Sequence, residues 1–437
     1  MRTPLPAGAV ETQGLSHGGS AERERFGCGG LAVRVLVVTD HFHPDLSSGG
    51  RLWTELSAAL VERGETVDVL TSFSSYNTDI VGKARDVYRG ISIRRLVSTR
   101  FRRSNLVGRL VNELSFCIVA FLRALTSPKP DVILSLSSPP FLPPFITLVS
   151  KMRRVPFVYV TYDVFPDIAV KMGLLRPGTP IAWLWERILR LALRNATRIV
   201  VIGRCMRGVV EAKIGRAQTP IDTIHNWSDS RLFFPLPRDE NPFFDEHPKL
   251  REKTIVQYSG NLGRFQDFET ILAVAEELST QDEIQFLIIG EGARRQWLTD
   301  EVESRRLANV TMLPFQPQAE LNYSLNAADI ALVTLERGAE GLGVPSKFYP
   351  ILAVGKPVIA VMHPSAEVAC TVRESGVGDV VQQGDVSGLA AIVRRLAADR
   401  ATTERMGERS RELFLSEFDL PVAVGHYQRT LQKAIRG

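Results

Sequence analysis

The chain has 437 residues, of which 44% are hydrophobic and 23% are charged, which excludes a disordered chain, a collagen-like or coiled-coil rod and a single small module. At about 150 residues per domain, this length predicts two or three domains. The 53 basic residues exceed the 48 acidic ones, and the net charge is +5. The excess is local, because residues 88–112 contain seven arginines and no acidic residue: Arg89, Arg94, Arg95, Arg100, Arg102, Arg103 and Arg109.

The remaining composition excludes several classes of site. The four cysteines are far apart and form no CxxC motif, which argues against a zinc site or a disulfide framework and is typical of a reducing compartment. His41 and His43 have no third ligand nearby, so we interpret them as loop polarity rather than as metal ligands. The sequence contains no run of 18 apolar residues, and no membrane-spanning helix is predicted. Residues 1–32 are glycine-rich, and we interpret them as a disordered or misassigned leader.

From residue 33 onward, short apolar β-branched runs alternate with stretches of helical period, which is typical of βαβ units on a parallel sheet. A first strand at 33–39 is followed by a glycine-containing turn at 45–50 and then by a helix. Further strands are predicted at 66–71, 91–96, 131–136, 157–161, 198–202 and 222–225. This pattern predicts a first doubly wound, Rossmann-like domain over 33–225.

Residues 226–253 contain several prolines among many charges, which breaks both periodicities, and we interpret them as a linker. Alternation then restarts, and strands are predicted at 254–260, 284–290, 310–313, 330–335 and 357–362. This predicts a second Rossmann-like domain over 254–420, followed by a helix at 421–437 that could return to the first domain. In such an α/β protein the deepest cleft lies between the domains, outside the carboxyl ends of both sheets.

The stretch AEGLGVPSKFYPILAVGKPVIA, residues 339–360, holds the most informative motif. Gly341 and Gly343 follow a predicted strand, and Pro345 predicts the first turn of a helix. Glycines allow main-chain N–H groups to approach a ligand, and a helix N-terminus adds partial positive charge, so this loop favours a phosphate. Lys347 could neutralise a second phosphate charge. Glu340 would repel a phosphate unless its carboxylate faces another group, such as sugar hydroxyls.

The order E-G-L-G-V-P-S-K-F-Y, followed by G-K-P-V-I-A, resembles the donor-site motif of the retaining glycosyltransferase family 4. That family has the GT-B fold, in which two Rossmann-like doubly wound domains face each other across a cleft. The resemblance implies that residues 33–225 form the acceptor domain and residues 254–420 the nucleotide-sugar donor domain. The resemblance covers nearly the whole chain from residue 33, because IHNWSDS, YSGNLGR and IIGEGARRQWL follow in the family's order. The sequence is most similar to the branch with colanic-acid and O-antigen transferases and N-acetyl-fucosamine transferases.

The resemblance implies roles for residues of the loop that contains Glu340 and Gly343, which we name the donor loop. Glu340 matches the first glutamate of the family's paired-glutamate motif, which holds donor-sugar hydroxyls. The second glutamate, which contacts the nucleotide ribose, falls at Pro350, and this departure leaves ribose recognition open. Gly343 and Lys347 belong to the part of the loop that faces the diphosphate.

The resemblance also implies roles for two neighbouring loops of the second domain. In the phosphate-binding turn, the family's usual arginine and lysine are replaced by Asn261 and Gln266. Arg264 is the substitute candidate, because a guanidinium binds a diphosphate in a bidentate manner; the alternative is a solvated turn arginine. Glu291 matches a residue near the base or ribose, although it could also be an ordinary charge at a helix N-terminus.

In the first domain, Gly49 and Gly50 match the turn that approaches the donor diphosphate. Residues 160–173 match the family's acceptor-side segment, in which Tyr162 replaces a common histidine. Asp163 is therefore the candidate polar group for the acceptor, with helix capping as the alternative.

The family's mechanism is transfer with retention of the anomeric configuration. N–H groups near the glycine turns, together with Lys347 and Arg264, would stabilise the leaving nucleoside diphosphate. No cofactor is expected, and since the chain has no Asp-x-Asp pair, the sequence does not require a metal.

Arg100, Arg102 and Arg103 precede an apolar stretch at 106–125 that is too short to span a bilayer. This predicts docking on an anionic membrane surface; the alternative is a buried crossover helix with a solvated basic loop. A nucleic-acid partner fits less well, because no basic module interleaved with aromatic residues is present. The resemblance implies a polyprenyl-diphosphate-linked glycan as acceptor, and hence a cytoplasmic enzyme peripherally bound to the inner face of the plasma membrane.

We therefore expect a hexosyl- or N-acetylhexosaminyl-type glycosyltransferase that uses a nucleotide-sugar, with UDP-sugar as the expected donor, in the biosynthesis of surface lipopolysaccharide or exopolysaccharide. The first alternative is a GDP-sugar-dependent transferase or a GT-B sugar-nucleotide epimerase. The second is a non-catalytic GT-B subunit that binds a nucleotide-sugar.

Overall fold

The computed structural model describes residues 32–45, 47–73, 82–99, 101 and 106–437. The predicted leader, apart from its last residue, lies outside this part of the chain. The described residues form two α/β domains, each built on a twisted sheet. This confirms the predicted fold class.

The first sheet has eight strands in the order β3-β4-β2-β1-β5-β6-β7-β8, and all neighbouring pairs are parallel except β3 with β4. The strands are β1 (Arg34–Val38), β2 (Thr66–Ser72), β3 (Arg85–Tyr88), β4 (Ile91–Leu96), β5 (Val132–Leu136), β6 (Phe157–Thr161), β7 (Arg198–Val201) and β8 (Ile221–Thr223). The helices are α1 (Ser48–Glu62), α2 (Leu106–Thr126), α3 (Leu142–Arg153), α4 (Asp167–Lys171), α5 (Pro180–Asn195) and α6 (Arg204–Ile214).

The helices cover both faces of this sheet. Side chains alternate between the faces along a strand, so Val35 and Val37 of β1 pack against α1, whereas Leu36 and Val38 pack into a second core. The helices α2, α3, α5 and α6 contribute to that second core and therefore share one layer.

The second sheet has six parallel strands in the order β11-β10-β9-β12-β13-β14. Its strands are β9 (Thr254–Ser259), β10 (Ile284–Ile289), β11 (Val310–Leu313), β12 (Ile330–Thr334), β13 (Val358–Val361) and β14 (Gly378–Val381). Its helices are α7 (Phe243–Glu246), α8 (Phe268–Glu277), α9 (Arg295–Ser304), α10 (Leu321–Asn326), α11 (Phe348–Ala353), α12 (Glu367–Ser375), α13 (Val386–Ala398) and α14 (Arg400–Leu413). Short 3-10 turns lie at Pro248–Leu250 and Gln318–Glu320, and a π-helical turn at Phe414–Phe418 precedes the last helix, α15 (Leu420–Arg436).

The segment interpreted as a linker, 226–253, is folded onto the second domain from Phe233 onward, whereas Trp227 is buried in a core cluster of the first domain. Phe243 and Phe244 are buried in a core cluster with residues of β9 and β10. Arg238 stacks 4.8 Å above the Phe244 ring and donates a hydrogen bond of 2.5 Å to Asp329. The sequence pattern there reflects short turns rather than an extended connection.

The last helix, α15, packs on the first domain. Tyr427 lies edge-on to Trp53 of α1, with ring centroids 6.0 Å apart, and to Trp227, at 5.8 Å. Asp419, just before α15, accepts hydrogen bonds from the N–H and hydroxyl of Ser230. The chain passes between the domains once near residue 230 and once near residue 419, and these hydrogen bonds hold the two connecting segments together.

Candidate active site

Loops that follow strands of the two sheets contact each other across the domain boundary. The N–H of Val164, beyond β6, donates a 3.1 Å hydrogen bond to the carbonyl of Leu342, in the loop after β12. The Ser48 hydroxyl, at the start of α1, donates to the Ser346 hydroxyl at 2.9 Å. The carboxyl ends of both sheets therefore meet, at the position where α/β domains bind ligands.

The donor loop runs between β12 and α11 and turns on glycines. Gly341 has φ +74°, and a Cβ atom there would lie 2.9 Å from Val209 Cγ2 and 3.1 Å from the Cys205 carbonyl oxygen of the first domain. Glu340 is partly buried, and its Oε1 accepts the Gly338 N–H at 3.1 Å. Because Glu340 forms no ion pair with any described residue, its carboxylate retains hydrogen-bonding capacity for a ligand.

The predicted helix start in this loop is wrong. Helix α11 begins at Phe348, so Pro345 lies in the preceding loop and Lys347 is the residue just before the helix. Pro350 lies within α11, and a proline side chain cannot accept a hydrogen bond from a ribose hydroxyl.

Lys347 has an uncommon environment for an ammonium group. Its Nζ donates a hydrogen bond to the Tyr258 hydroxyl and lies 3.7 Å from the centroid of that ring. The Tyr258 hydroxyl in turn donates to the Asn261 carbonyl at 2.7 Å. Gly260 permits this approach, because a Cβ atom there would lie 3.0 Å from Nζ. Burial without a carboxylate partner lowers the pKa of Lys347 to about 7, so an anion at this position would favour the charged form.

The loops after β9 and β10 form one continuous surface beside Lys347. A Cβ atom on Gly290, at φ +154°, would lie 1.9 Å from the Gly260 carbonyl oxygen, so only glycine permits the two loops to touch. Arg264 in the first loop is exposed and has no hydrogen bond or ion pair within the described residues. Glu291 in the second loop is partly exposed and forms an ion pair with Arg295 at 3.3 Å.

The residues that replace the family's arginine and lysine do not extend a charge toward the cleft. The Gln266 side chain accepts the Gly263 N–H at 3.0 Å and so holds the turn, and Asn261 is exposed. Arg264 is therefore the only cation within the turn 260–266, all of which the structure describes.

The predicted glycine turn after β1 is also revised. Helix α1 begins at Ser48, so Gly49 and Gly50 lie in its first turn rather than in a loop before it. The Ser47 hydroxyl caps the helix by accepting the Gly50 N–H at 3.2 Å. A Cβ atom on Gly50 would lie 3.0 Å from the Asp45 carbonyl oxygen, whereas one on Gly49 would meet nothing within 4 Å. The open side of Gly49 is thus available for a ligand at the helix N-terminus.

Asp163 follows β6 and faces the donor loop. The N–H groups of Tyr162 and Asp163 both donate to the Ser137 hydroxyl, at 3.0 and 3.1 Å, which fixes the direction of the chain. Asp163 Oδ1 lies 3.6 Å from the position that a Gly343 Cβ would occupy. Burial raises the pKa of Asp163 to about 6, and the carboxyl has no hydrogen bond or ion pair with the described residues.

The capping alternative for Asp163 is wrong. Helix α4 begins at Asp167 with Pro166 at the cap position and no side-chain cap. The Asp163 carboxyl is thus held near the cleft without a hydrogen-bonding or ionic partner among the residues that the structure describes.

A second contact beside the cleft joins the domains and occupies a helix N-terminus. Glu367, at the start of α12, accepts the Cys205 N–H and an Arg204 guanidinium N–H, both at 3.1 Å. Because this carboxylate already neutralises the N-terminus of α6, that helix is not available to a second anion.

Comparisons with known proteins agree with this architecture. Residues 49–227 match the Glycosyl transferase 4-like domain, and residues 239–413 match Glycosyl transferases group 1. The chain is 31% identical over 370 residues to the probable glycosyltransferase WbjE of Pseudomonas aeruginosa, across 83% of this chain and 88% of that protein. The chain belongs to the GT-B glycosyltransferases.

Two further likenesses extend this result. The glycosyltransferase is 26% identical over 375 residues to the putative colanic acid biosynthesis glycosyl transferase WcaI of Escherichia coli K12, across 83% of this chain and 92% of that protein. Its fold matches HepE of Anabaena, solved with UDP-glucose, with TM-score 0.68 and 15% identity over 92% of this chain and 99% of that one. The family is thus confirmed, whereas retention and the likeness to N-acetyl-fucosamine transferases stay predictions.

A polar cluster after β1 was not singled out as part of the site from the sequence. His41 Nδ1 lies 2.6 Å from Asp45 Oδ2, and its Nε2 lies 3.4 Å from Asp40 Oδ2. The Ser138 hydroxyl donates to Asp40 at 3.3 Å, so the cluster joins the loops after β1 and β5. His43 instead stacks on Tyr88, and no group of three candidate metal ligands occurs among the described residues. The sequence feature that could have identified this cluster is the run of Asp and His residues directly after a buried strand.

The arginine-rich segment of the glycosyltransferase is partly neutralised. Arg100, Arg102 and Arg103 lie outside the described residues, so the membrane-docking role stays a prediction. Three other arginines of the segment form ion pairs: Arg89 with Glu62, Arg95 with Asp86 and Arg109 with Glu113. None of the described helices is both long and apolar enough to cross a membrane.

Proposed function

We propose that this glycosyltransferase transfers a hexosyl or N-acetylhexosaminyl group from a UDP-sugar to a lipid-linked glycan, with retention, during surface polysaccharide biosynthesis. Support for the pathway comes from WcaI, which is described as a colanic acid biosynthesis enzyme. Support for the donor comes from HepE, which was solved with UDP-glucose. The observation that carries the proposal is the partly buried Lys347 ammonium, which lies against Gly260 and has no carboxylate partner among the described residues. The preceding residue, Ser346, accepts a hydrogen bond from Ser48 at the N-terminus of α1, so this lysine lies next to a contact between the two domains.

The donor diphosphate would lie between Lys347 and the first turn of α1. A diphosphate there replaces the missing counter-ion of Lys347, and the open side of Gly49 allows close approach to helix N–H groups. Arg264 extends from the adjacent turn and can reach the same phosphates with a bidentate guanidinium. Positive charge from these three sources stabilises the leaving nucleoside diphosphate as the glycosidic bond breaks.

Glu340 would hold the donor sugar. Its carboxylate is anchored to its own loop through the Gly338 N–H, which leaves the second oxygen to accept sugar hydroxyls. A carboxylate fixed before substrate arrives loses little freedom on binding, so it can orient the anomeric carbon efficiently.

Asp163 would position the acceptor hydroxyl. Its carboxyl faces Gly343 across the cleft, where acceptor and donor sugar meet, and its raised pKa makes it a better proton acceptor than an ordinary aspartate near neutral pH. We propose that it accepts a hydrogen bond from the attacking hydroxyl.

The acceptor glycan would be carried on a polyprenyl diphosphate, with the enzyme on the cytoplasmic face of the membrane. No cofactor is proposed, since Lys347, Arg264 and the α1 N-terminus supply the charge that a divalent cation would otherwise supply.

The test is a donor screen. Purified protein is incubated with UDP-, GDP- and dTDP-sugars and a lipid-linked acceptor, and nucleotide release is measured with and without acceptor. We expect acceptor-dependent release of UDP from one UDP-sugar. Glu340→Ala should reduce turnover at least about 100-fold while UDP binding stays within about threefold, because the sugar contact is lost and the diphosphate contacts remain.

Glu336→Ala, a change of the same kind in the same loop, is the matched control and should retain wild-type turnover. No nucleotide release from any donor would refute the transferase and favour a non-catalytic subunit. Release of GDP alone would refute the UDP donor. Release of UDP and free sugar without any acceptor would indicate a hydrolase, and conversion of the UDP-sugar to its epimer without net release of UDP would indicate an epimerase.

A further inference from the structure

The outward face of α5 carries an apolar stripe that faces solvent. Ile181, Leu184, Ile188 and Leu191 recur at helical spacing and are between 38% and 68% exposed. Leu189 and Leu193, on the adjoining face of the same helix, are buried in the first-domain core. A helix that packs one face on a core normally presents polar residues over the rest of its surface. The apolar surface of α5 is therefore wider than the part that packs on the core, and its outer part lacks a partner within the described part of the chain.

Two neighbouring helices continue this surface. The helices α2, α3 and α5 lie in one layer over the first sheet, with α3 in contact with both others, so their outward faces point the same way. The additional exposed apolar side chains are Leu110, Leu114, Ile118 and Leu122 of α2, and Leu148 and Met152 of α3. We name the outward faces of α2, α3 and α5 the helical platform. An apolar surface spread over three helices marks an interaction site.

The charge of the helical platform is strongly one-sided. The three helices contain seven basic residues and two acidic ones. One of the acids, Glu186, is already paired with Arg190 at 2.6 Å. Arg187 stacks 5.4 Å from the Trp183 ring, and Lys151 is exposed on α3. Apolar side chains flanked by Lys and Arg, with an exposed tryptophan, are typical of helices that lie in a membrane interface.

We infer that the helical platform rests on an anionic lipid bilayer. A second copy of the chain is disfavoured as the occupant, because two such faces would bring two surfaces of like charge together. In a parallel sheet, each crossover helix begins at the edge where the preceding strand ends, so α5 starts on the side of the cleft that holds Asp163. The inference rests on the proposed function in one respect, which is that membrane contact would bring the enzyme to a lipid-linked acceptor.

The test is vesicle binding without donor or acceptor. Phosphatidylcholine vesicles are compared with vesicles that also contain phosphatidylglycerol, by co-sedimentation and by tryptophan fluorescence. Trp183 is 60% exposed, whereas Trp53 and Trp227 are buried and Trp185 and Trp297 are partly buried. Trp183 should therefore contribute most of a blue shift on binding and of the quenching by brominated lipid. Trp183→Phe should largely remove the blue shift and retain most of the binding.

The variant that carries Ile181→Ser, Leu184→Ser, Ile188→Ser and Leu191→Ser should bind anionic vesicles about 10- to 100-fold more weakly, because the apolar area transferred to lipid is lost. Phe315→Ser with Leu415→Ser removes exposed apolar side chains of the second domain and is the matched control, with a change below about twofold. Lys151→Ser with Arg187→Ser should weaken binding to anionic vesicles by about tenfold or more and leave weak binding to neutral ones unchanged.

Circular dichroism and transfer to a water-soluble acceptor analogue establish that each variant is folded. Absent binding by the wild type, or equal binding by the α5 variant, would overturn the inference. A wild-type dimer in light scattering that becomes monomeric in the α5 variant would also overturn it, in favour of a second copy. Vesicle binding by a protein that transfers no sugar would uphold the platform and refute the proposed function, so the two failures are distinguishable.

Discussion

Donor binding by this glycosyltransferase should be coupled to the uptake of a proton by Lys347. The ammonium lies over the Tyr258 ring and against Gly260, and burial without a carboxylate lowers its pKa to about 7 from the ordinary 10.5. The free enzyme therefore holds this lysine largely neutral above neutral pH. A diphosphate placed beside it raises the pKa again, so the complex binds a proton that the free enzyme lacks.

The magnitude follows from that pKa. At about pH 8, roughly 90% of the free enzyme has neutral Lys347, so each donor molecule bound should take up close to one proton. At about pH 6 the uptake should fall to about 0.1 proton. The association constant for the donor should decrease as pH rises through 7, by up to about tenfold per pH unit.

Isothermal titration calorimetry with a UDP-sugar, in buffers of different ionisation enthalpy, measures this uptake directly. The diphosphate of a nucleotide-sugar does not itself titrate over this range. Lys347→Arg, which stays charged, should abolish both the proton uptake and the pH dependence. Lys356→Arg is the matched control, because burial also lowers the pKa of Lys356, to about 8, but that residue is outside the proposed site. Absence of proton uptake by the wild type at pH 8 would refute the placement of the diphosphate.

Three further predictions test other parts of the site. Asp163→Asn should raise the free energy of unfolding at pH 7 by on the order of 1–2 kcal/mol, because burial raises the pKa of this carboxyl to about 6 and the charged form is costly above that pH. The gain in calorimetry should vanish below about pH 3, where the carboxyl is protonated in both the folded and the unfolded state, while turnover falls. Gly49→Ala should raise the Michaelis constant for the donor about tenfold without loss of stability, since its methyl group enters the open side of the helix turn. Gly50→Ala should instead destabilise the fold by about 1 kcal/mol, because its methyl group would contact Asp45. Equal effects of the two changes on the Michaelis constant for the donor would contradict the assignment. Treatment with EDTA should leave turnover within about twofold of the untreated enzyme, since protein cations balance the diphosphate, and a loss restored by Mg²⁺ would contradict this.

The sheet strands could be predicted well because parallel strands buried on both faces are continuous apolar runs. The bounds of β4, β6 and β11 agree with the sequence pattern to the residue. Two strands were missed. Strand β3 is an exposed antiparallel edge strand, and β14 is short with a glycine start, so neither has the apolar run that the pattern requires.

The candidate site could be predicted only in part. The glycine loops and the polar residues after strands were recognisable, because their chemistry is local. The starts of α1 and α11 were misplaced, since glycines and prolines in a first helical turn have the same sequence pattern as a loop. The contact of Lys347 with Tyr258 and the approach of Asp163 to Gly343 join residues far apart in the sequence, so only the folded chain shows them.

The transfer product tests the central claim most directly. A labelled UDP-sugar is incubated with membranes that contain the lipid-linked acceptor, and the product is isolated and its new glycosidic bond is analysed by NMR spectroscopy. We predict a lipid-linked product whose anomeric configuration equals that of the donor, formed by the wild type and lost in Glu340→Ala. Free sugar alone, an inverted configuration, or full transfer by Glu340→Ala would contradict the account.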